Sequence, residues 1–183
     1  MNLFSVSGKN WIFKEFNSSD IDFFKTNYFL DEIVAKLLSI RKIKKEDVNL
    51  FLKPSIKNIL PNPFILKDMD KAINRTVTAI TKSEKVGIFG DYDVDGATST
   101  AILGHYFRTL KIEYEIHIPD RKAEGFGPNE KAFSKFIKKG VNLIFTVDCG
   151  TLSFEPINFA KNNKIDVIIL DHHQSETKLP RAH

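Results

Sequence analysis

Four short apolar runs punctuate residues 86–170, and each is followed within two residues by an aspartate. The runs are Val86–Phe89, Ile112–Ile118, Asn142–Val147 and Asp166–Leu170, and helix-length segments separate them at about 97–110, 129–139 and 154–162. Strands alternating with helices of 10–15 residues demand crossover connections, so the pattern predicts a parallel sheet with helices on both faces, a doubly wound α/β fold. All strands of such a sheet point one way. The aspartates that follow them therefore gather along a single edge, the edge at which open α/β sheets bind ligands.

The chain upstream reads differently. Met69, Ile73, Val77 and Ile80 recur at helical spacing and predict an amphipathic helix over 67–82. Before it, Pro54, Pro61 and Pro63 crowd one short stretch, where the missing amide and the restricted preceding residue interrupt helices on both sides. This break divides the chain into a mainly helical N-terminal extension, 1–63, and an α/β domain, 64–183, cut short at its C-terminal end. Within the extension, Leu30, Ile33, Val34, Leu37 and Leu38 mark one helix face, and Val48, Leu50, Phe51 and Leu52 a shorter apolar cluster. Both are expected to be core, and Trp11–Phe13 a short strand.

The chemistry lies after the strands. Asp91, Asp93 and Asp95 alternate within Gly90-Asp91-Tyr92-Asp93-Val94-Asp95-Gly96, with no cation beside them in sequence. Ionised together in a confined site they would repel one another, whereas a divalent cation would offset them. Gly96 is positioned to permit the turn that re-aims alternating side chains. A calcium loop of the EF-hand type needs a glutamate near position 102 and a preceding helix; the residue is Ile102 and a strand precedes. Asp148 and the Asp171-His172-His173 run add further oxygen and imidazole donors, a mixture suited to Mn²⁺ or a similar ion. One of the adjacent histidines can ligate metal while the other contacts a phosphate or donates a proton. Arg121, after the second strand, is a candidate phosphate-binding guanidinium. Gly125-Phe126-Gly127-Pro128 can cradle a phosphate ahead of a helix. His105 and His117, inside a predicted helix and strand, read as structural.

Composition narrows the setting. No run approaches the roughly 18 apolar residues of a membrane span, the N-terminus lacks the layout of a secretory signal, and the single Cys149 excludes an internal disulfide. These features predict a cytoplasmic protein with no membrane partner. The net charge of +4 permits a nucleic-acid partner. Lysine outnumbers arginine 22 to 5, however, so the basic balance partly reflects an AT-rich coding bias.

Together, GDYDVDGATST, PDRKAEGFGPN, TVDCGT and LDHH resemble the first four motifs of the DHH phosphoesterase superfamily, and DYDVDG is similar to the RecJ type of that superfamily. The lead-in LFLKPSIKNILPNPFILKDMDKAI resembles RecJ as well. The resemblance implies a nuclease with two divalent ions, Mn²⁺ preferred or Mg²⁺, that degrades single-stranded DNA from the 5′ end in recombination and repair, alongside other repair or recombination proteins. It implies that Asp93, Asp95, Asp148 and His172 ligate metal with Asp91 in or beside that set, that His173 serves the scissile phosphate, and that Asp171 orients the histidines. The family also uses a later aspartate, a second domain and an OB fold, none of which follows LDHH before His183. A fragment with low activity of its own is the expectation. Two alternatives remain open: a DHH phosphodiesterase of short oligonucleotides or nucleotide phosphates, and a non-catalytic DHH module.

Overall fold

The computed structural model describes residues 3–12 and 14–183, which group into two compact units, Met1–Asn62 and Pro63–His183. In the first unit a two-stranded antiparallel ribbon, β1 (Leu3–Phe4) and β2 (Asn10–Trp11), precedes α1 (Ser18–Tyr28), α2 (Glu32–Ile40), α3 (Val48–Leu52) and α4 (Ile56–Ile59). Of the expected Trp11–Phe13 strand, Trp11 lies in β2, Ile12 follows it, and Phe13 lies outside the described residues. Asn17 caps α1 by accepting the Ser19 amide at 2.9 Å.

The small core of this unit holds Ile21, Phe24, Ala35, Leu38 and Val48. The expectation that its apolar clusters are core fails at most positions: Ile33, Leu37, Leu50, Phe51 and Leu52 are all exposed. Four short helices bury too little surface to cover every apolar side chain they carry. Spacing identifies a helix face without saying whether anything packs on it.

The second unit begins with α5 (Met69–Thr81) and then alternates β3 (Val86–Gly90), α6 (Val94–Thr109), β4 (Tyr114–His117), α7 (Glu130–Lys138), β5 (Leu143–Val147), α8 (Phe154–Asn162) and β6 (Asp166–Leu170). The sheet runs β4-β3-β5-β6 and every pairing is parallel. Both central strands, β3 and β5, are buried at all five positions, which is why they read as continuous apolar runs. Their residues alternate between two cores. Val86, Ile88, Leu143, Phe145 and Val147 pack with Ala79 of α5 and Phe107 of α6. Phe89 and Ile144, with Val167 of β6, pack with Phe133 and Phe136 of α7 and with Ile157 and Ala160 of α8. Helices on both faces make the sheet doubly wound.

Arg75 of α5 ties that helix to the sheet. Its Nε donates to Asp166 Oδ2 at 2.6 Å and an Nη donates to Glu84 Oε2 at 2.7 Å. The guanidinium is largely buried and its rigid fork serves both carboxylates.

Register then positions the site. Gly90 pairs with Val147, and Val147 with Leu170, so Asp91, Asp148 and Asp171 emerge level with one another from three adjacent strands. The chain runs from β3 outward to β4 and then back across to β5. The gap between β3 and β5 is therefore the topological switch point.

Candidate functional site

Asp91 follows β3 directly with its side chain buried, and its Oδ1 has no hydrogen-bond partner. Asp93 is the N-cap of α6, accepting the Gly96 amide at 3.0 Å. That bond, first among several, holds its carboxyl below the usual range. Asp148 follows β5 in a left-handed backbone conformation, φ 61°, uncommon for a residue with a Cβ and costing on the order of 1 kcal/mol. Its amide donates to Leu170 O at 2.8 Å, which continues the sheet pairing and turns the carboxyl into the site.

Burial pushes the Asp148 carboxyl above its ordinary range, and the facing Asp93 carboxylate adds to the rise. Asp148 Oδ1 meets His172 Nε2 at 3.0 Å, while Oδ2 is buried without a partner. Two orphaned, buried carboxylate oxygens thus point into one cluster. Leaving such groups unsatisfied costs free energy that a bound cation would recover.

Ligand-capable atoms of Asp91, Asp93 and Asp148 lie within 4.8 Å of one another, as do those of Asp148, His172 and His173. Asp148 belongs to both sets, so the geometry fits two adjacent cations that share one carboxylate. Asp95 is exposed on the first turn of α6 and belongs to neither set, although its charge contributes to the rise at Asp148. Entry into a helix at Asp93 swings Asp95 away, where an extended run would have kept alternation.

Gly96 has a different role from the turn expected of it. A Cβ there would fall 2.5 Å from the Asp91 amide nitrogen and 2.6 Å from its carbonyl carbon. Glycine is needed for close backbone approach; the turn itself is made by the cap.

Asp171 holds one histidine only. Its Oδ1 accepts the His173 amide at 3.0 Å and meets His173 Nδ1 at 2.7 Å, while Oδ2 accepts the Thr151 amide at 2.9 Å. Burial would raise this carboxyl, but the bonds from Thr151 and His173 outweigh it and bring it down to about 2. The Asp171 bond in turn raises His173, leaving Nε2 as the available ring nitrogen. His172 instead reaches across to Asp148. Cys149 is buried and its thiol pushed up by desolvation, which disqualifies it as a nucleophile.

Around this centre, the loop after β4 is tied down by Glu124, which bonds His117 Nε2 at 2.9 Å. Asp120 accepts the Lys122 and Ala123 amides at 2.9 and 2.8 Å. Arg121 is exposed on this loop with its guanidinium 5.4 Å from the Tyr92 ring centre. The Gly125–Pro128 loop leads into α7, where the Asn129 cap takes the Ala132 amide at 2.8 Å, one of the amides that a phosphate cradle would use. Sequence reasoning missed the aromatic row Tyr92, Phe126, His173; its only signal was two aromatic residues, Tyr92 and Phe126, set within charged motifs.

Residues 85–183 match the family "DHH family, N-terminal domain". The chain is 41% identical over 149 residues to the single-stranded-DNA-specific exonuclease RecJ of Bacillus subtilis, covering 81% of this chain and 19% of that relative. It is 37% identical over 132 residues to the Haemophilus influenzae RecJ, covering 72% and 23%. It thus spans about a fifth of the length of these curated relatives. A crystal structure of exonuclease RecJ bound to manganese aligns with TM-score 0.60 at 30% identity, over 64% of this chain and 30% of that one. A crystal structure of RecJ from Thermus thermophilus in complex with Mn²⁺ aligns with TM-score 0.63 at 22% identity, over 90% and 22%, and shows the shared fold. Among the described residues no helix is long and apolar enough to cross a membrane.

Proposed function

The chain belongs to the DHH family, and from that membership we propose that it carries the metal-binding part of a RecJ-type exonuclease acting 5′ to 3′ on single-stranded DNA, in the cytoplasm, in recombination and repair. The observation that carries this reading is the pair of orphaned carboxylate oxygens, on Asp91 and Asp148, at the switch point of the sheet. Asp91, Asp93, Asp148 and His172 would hold two divalent ions, Mn²⁺ or Mg²⁺, with Asp95 at their margin. When bound, the ions supply positive charge that offsets the carboxylates, polarises a phosphoryl oxygen and eases deprotonation of the attacking water.

The chain's own residues do the rest. Asp171 fixes the tautomer and orientation of His173 and favours its protonated form, so His173 Nε2 can donate a hydrogen bond or a proton to an oxygen of the scissile phosphate. Arg121 supplies a second positive charge for the strand's phosphates. The Asp148–His172 contact keeps the second histidine turned toward the shared carboxylate.

The test is Mn²⁺-dependent release of mononucleotides from long single-stranded DNA, with duplex DNA and a dinucleotide assayed in parallel. Slow, Mn²⁺-dependent shortening of the single strand is the expected result. Preferential cleavage of the dinucleotide would transfer the chain to the short-oligonucleotide phosphodiesterases. Mn²⁺ uptake with no hydrolysis of any substrate would mark a non-catalytic module.

A further inference from the structure

Next to the acidic centre lies a row of rings, of which the chemistry above uses only His173. Tyr92 and Phe126 meet edge to face with ring centres 6.4 Å apart, and Phe126 meets His173 edge to face at 5.8 Å. Phe126 is 59% exposed. An isolated exposed apolar residue needs no explanation, but this one sits on a loop built to hold it out. Gly125 and Gly127 flank it at φ 80° and 79°, a left-handed conformation in which any Cβ is strained. Gly127 and Pro128 are buried, so the chain dives in on one side of a ring that stays out. The base of the loop is pinned by the Glu124 contacts to His117 and by the Asp120 turn. Arg121, 5.4 Å from the Tyr92 ring centre, places a cation at the outer end of the row.

We propose that Phe126 and Tyr92 form a nucleobase-stacking face that seats the base attached to the phosphate held by His173 and the metal ligands. The proposal rests on the single-stranded-DNA reading above and adds how the strand is gripped without regard to sequence. Every base has a π-face, so stacking on a rigidly presented ring is sequence-tolerant, and guanidinium contact reinforces it. A duplex keeps its bases stacked on one another, and an exposed ring beside the cleavage centre therefore favours an unpaired end. Because Phe126 contributes little to the core, replacing it leaves the fold in place, which a thermal melt of each variant verifies.

The experiment measures binding of labelled single-stranded dT12 in Mn²⁺, and of the same backbone carrying abasic sites, to the full chain and to Phe126→Ala and Phe126→Trp. Stacking predicts that Phe126→Ala weakens dT12 binding by about 5- to 100-fold, the range given by base–aromatic contacts. It also predicts that Phe126→Trp retains binding, and that the abasic strand binds all three proteins alike. Equal dT12 binding by wild type and Phe126→Ala overturns the stacking face and leaves the DNA reading intact. An equal loss on both probes overturns it too and makes Phe126 a support for His173. Failure of the wild-type chain to bind either probe overturns the DNA reading itself, and the stacking face with it.

Discussion

Asp148→Asn is expected to raise the stability of the metal-free chain while destroying its metal binding. The carboxyl is buried and faces Asp93, and both effects push it above its ordinary range. A folded-state value above the unfolded one means that the native chain favours the protonated form. Wild-type stability without metal therefore falls as pH rises from the unfolded value through the folded one, and it stays lower at neutral pH. Asparagine removes that charge, and of the residues with a Cβ it is among the most tolerant of the left-handed backbone at φ 61°. The expected gain is on the order of 1 kcal/mol, a rise of about 2–4 °C in Tm for a chain this size. Mn²⁺ affinity should fall by at least about 100-fold, since loss of groups that merely support ligands already costs 10- to 100-fold, and hydrolysis should drop to background. Thermal melts of both proteins with and without Mn²⁺ check the pair of signs. A variant less stable than wild type without metal would contradict the electrostatic reading of this cluster.

Gly96→Ala and Gly104→Ala should move stability in opposite directions although both lie in α6. In a bare helix either change would gain about 1 kcal/mol. At Gly104 the new methyl meets only side-chain atoms, the nearest 3.4 Å away, so a slightly stabilising outcome is expected. At Gly96 it collides with the Asp91 backbone, which no rotamer change relieves. Overpacking of this kind costs about 1–3 kcal/mol where side chains can shift; here the cost should reach the top of that range, lowering Tm by about 6–12 °C. The displaced strand end carries Asp91, so Mn²⁺ binding should weaken in the same variant. Denaturant unfolding of the two variants side by side is the measurement. Equal effects would show that the close approach of α6 to β3 carries no energetic weight.

Much of this was legible in the residues. The alternation of apolar runs with helix-length segments predicts the parallel sheet, because buried central strands such as Val86–Gly90 and Leu143–Val147 leave no polar face to confuse the reading. The gathering of Asp91, Asp148 and Asp171 follows from strand direction alone. What stayed hidden depends on geometry that spacing does not encode. Asp95 alternates with Asp91 and Asp93, yet the cap at Asp93 starts a helix and carries Asp95 out of both ligand sets. His172 and His173 are neighbours in sequence but turn to different aspartates. Arg75 reaches Asp166, 91 residues away, and nothing local to Arg75 announces that partner. Ile33 and Leu37 fit a helix face perfectly well and are exposed all the same.

The central claim is that the carboxylates at these strand ends form a divalent-metal centre built around Asp148. Electron paramagnetic resonance of Mn²⁺ titrated with the wild-type chain and with Asp148→Asn tests it most directly. The account predicts that the wild-type chain removes the free-ion signal in a saturable way and that Asp148→Asn leaves it standing. A free Mn²⁺ signal undiminished by excess wild-type chain would contradict it.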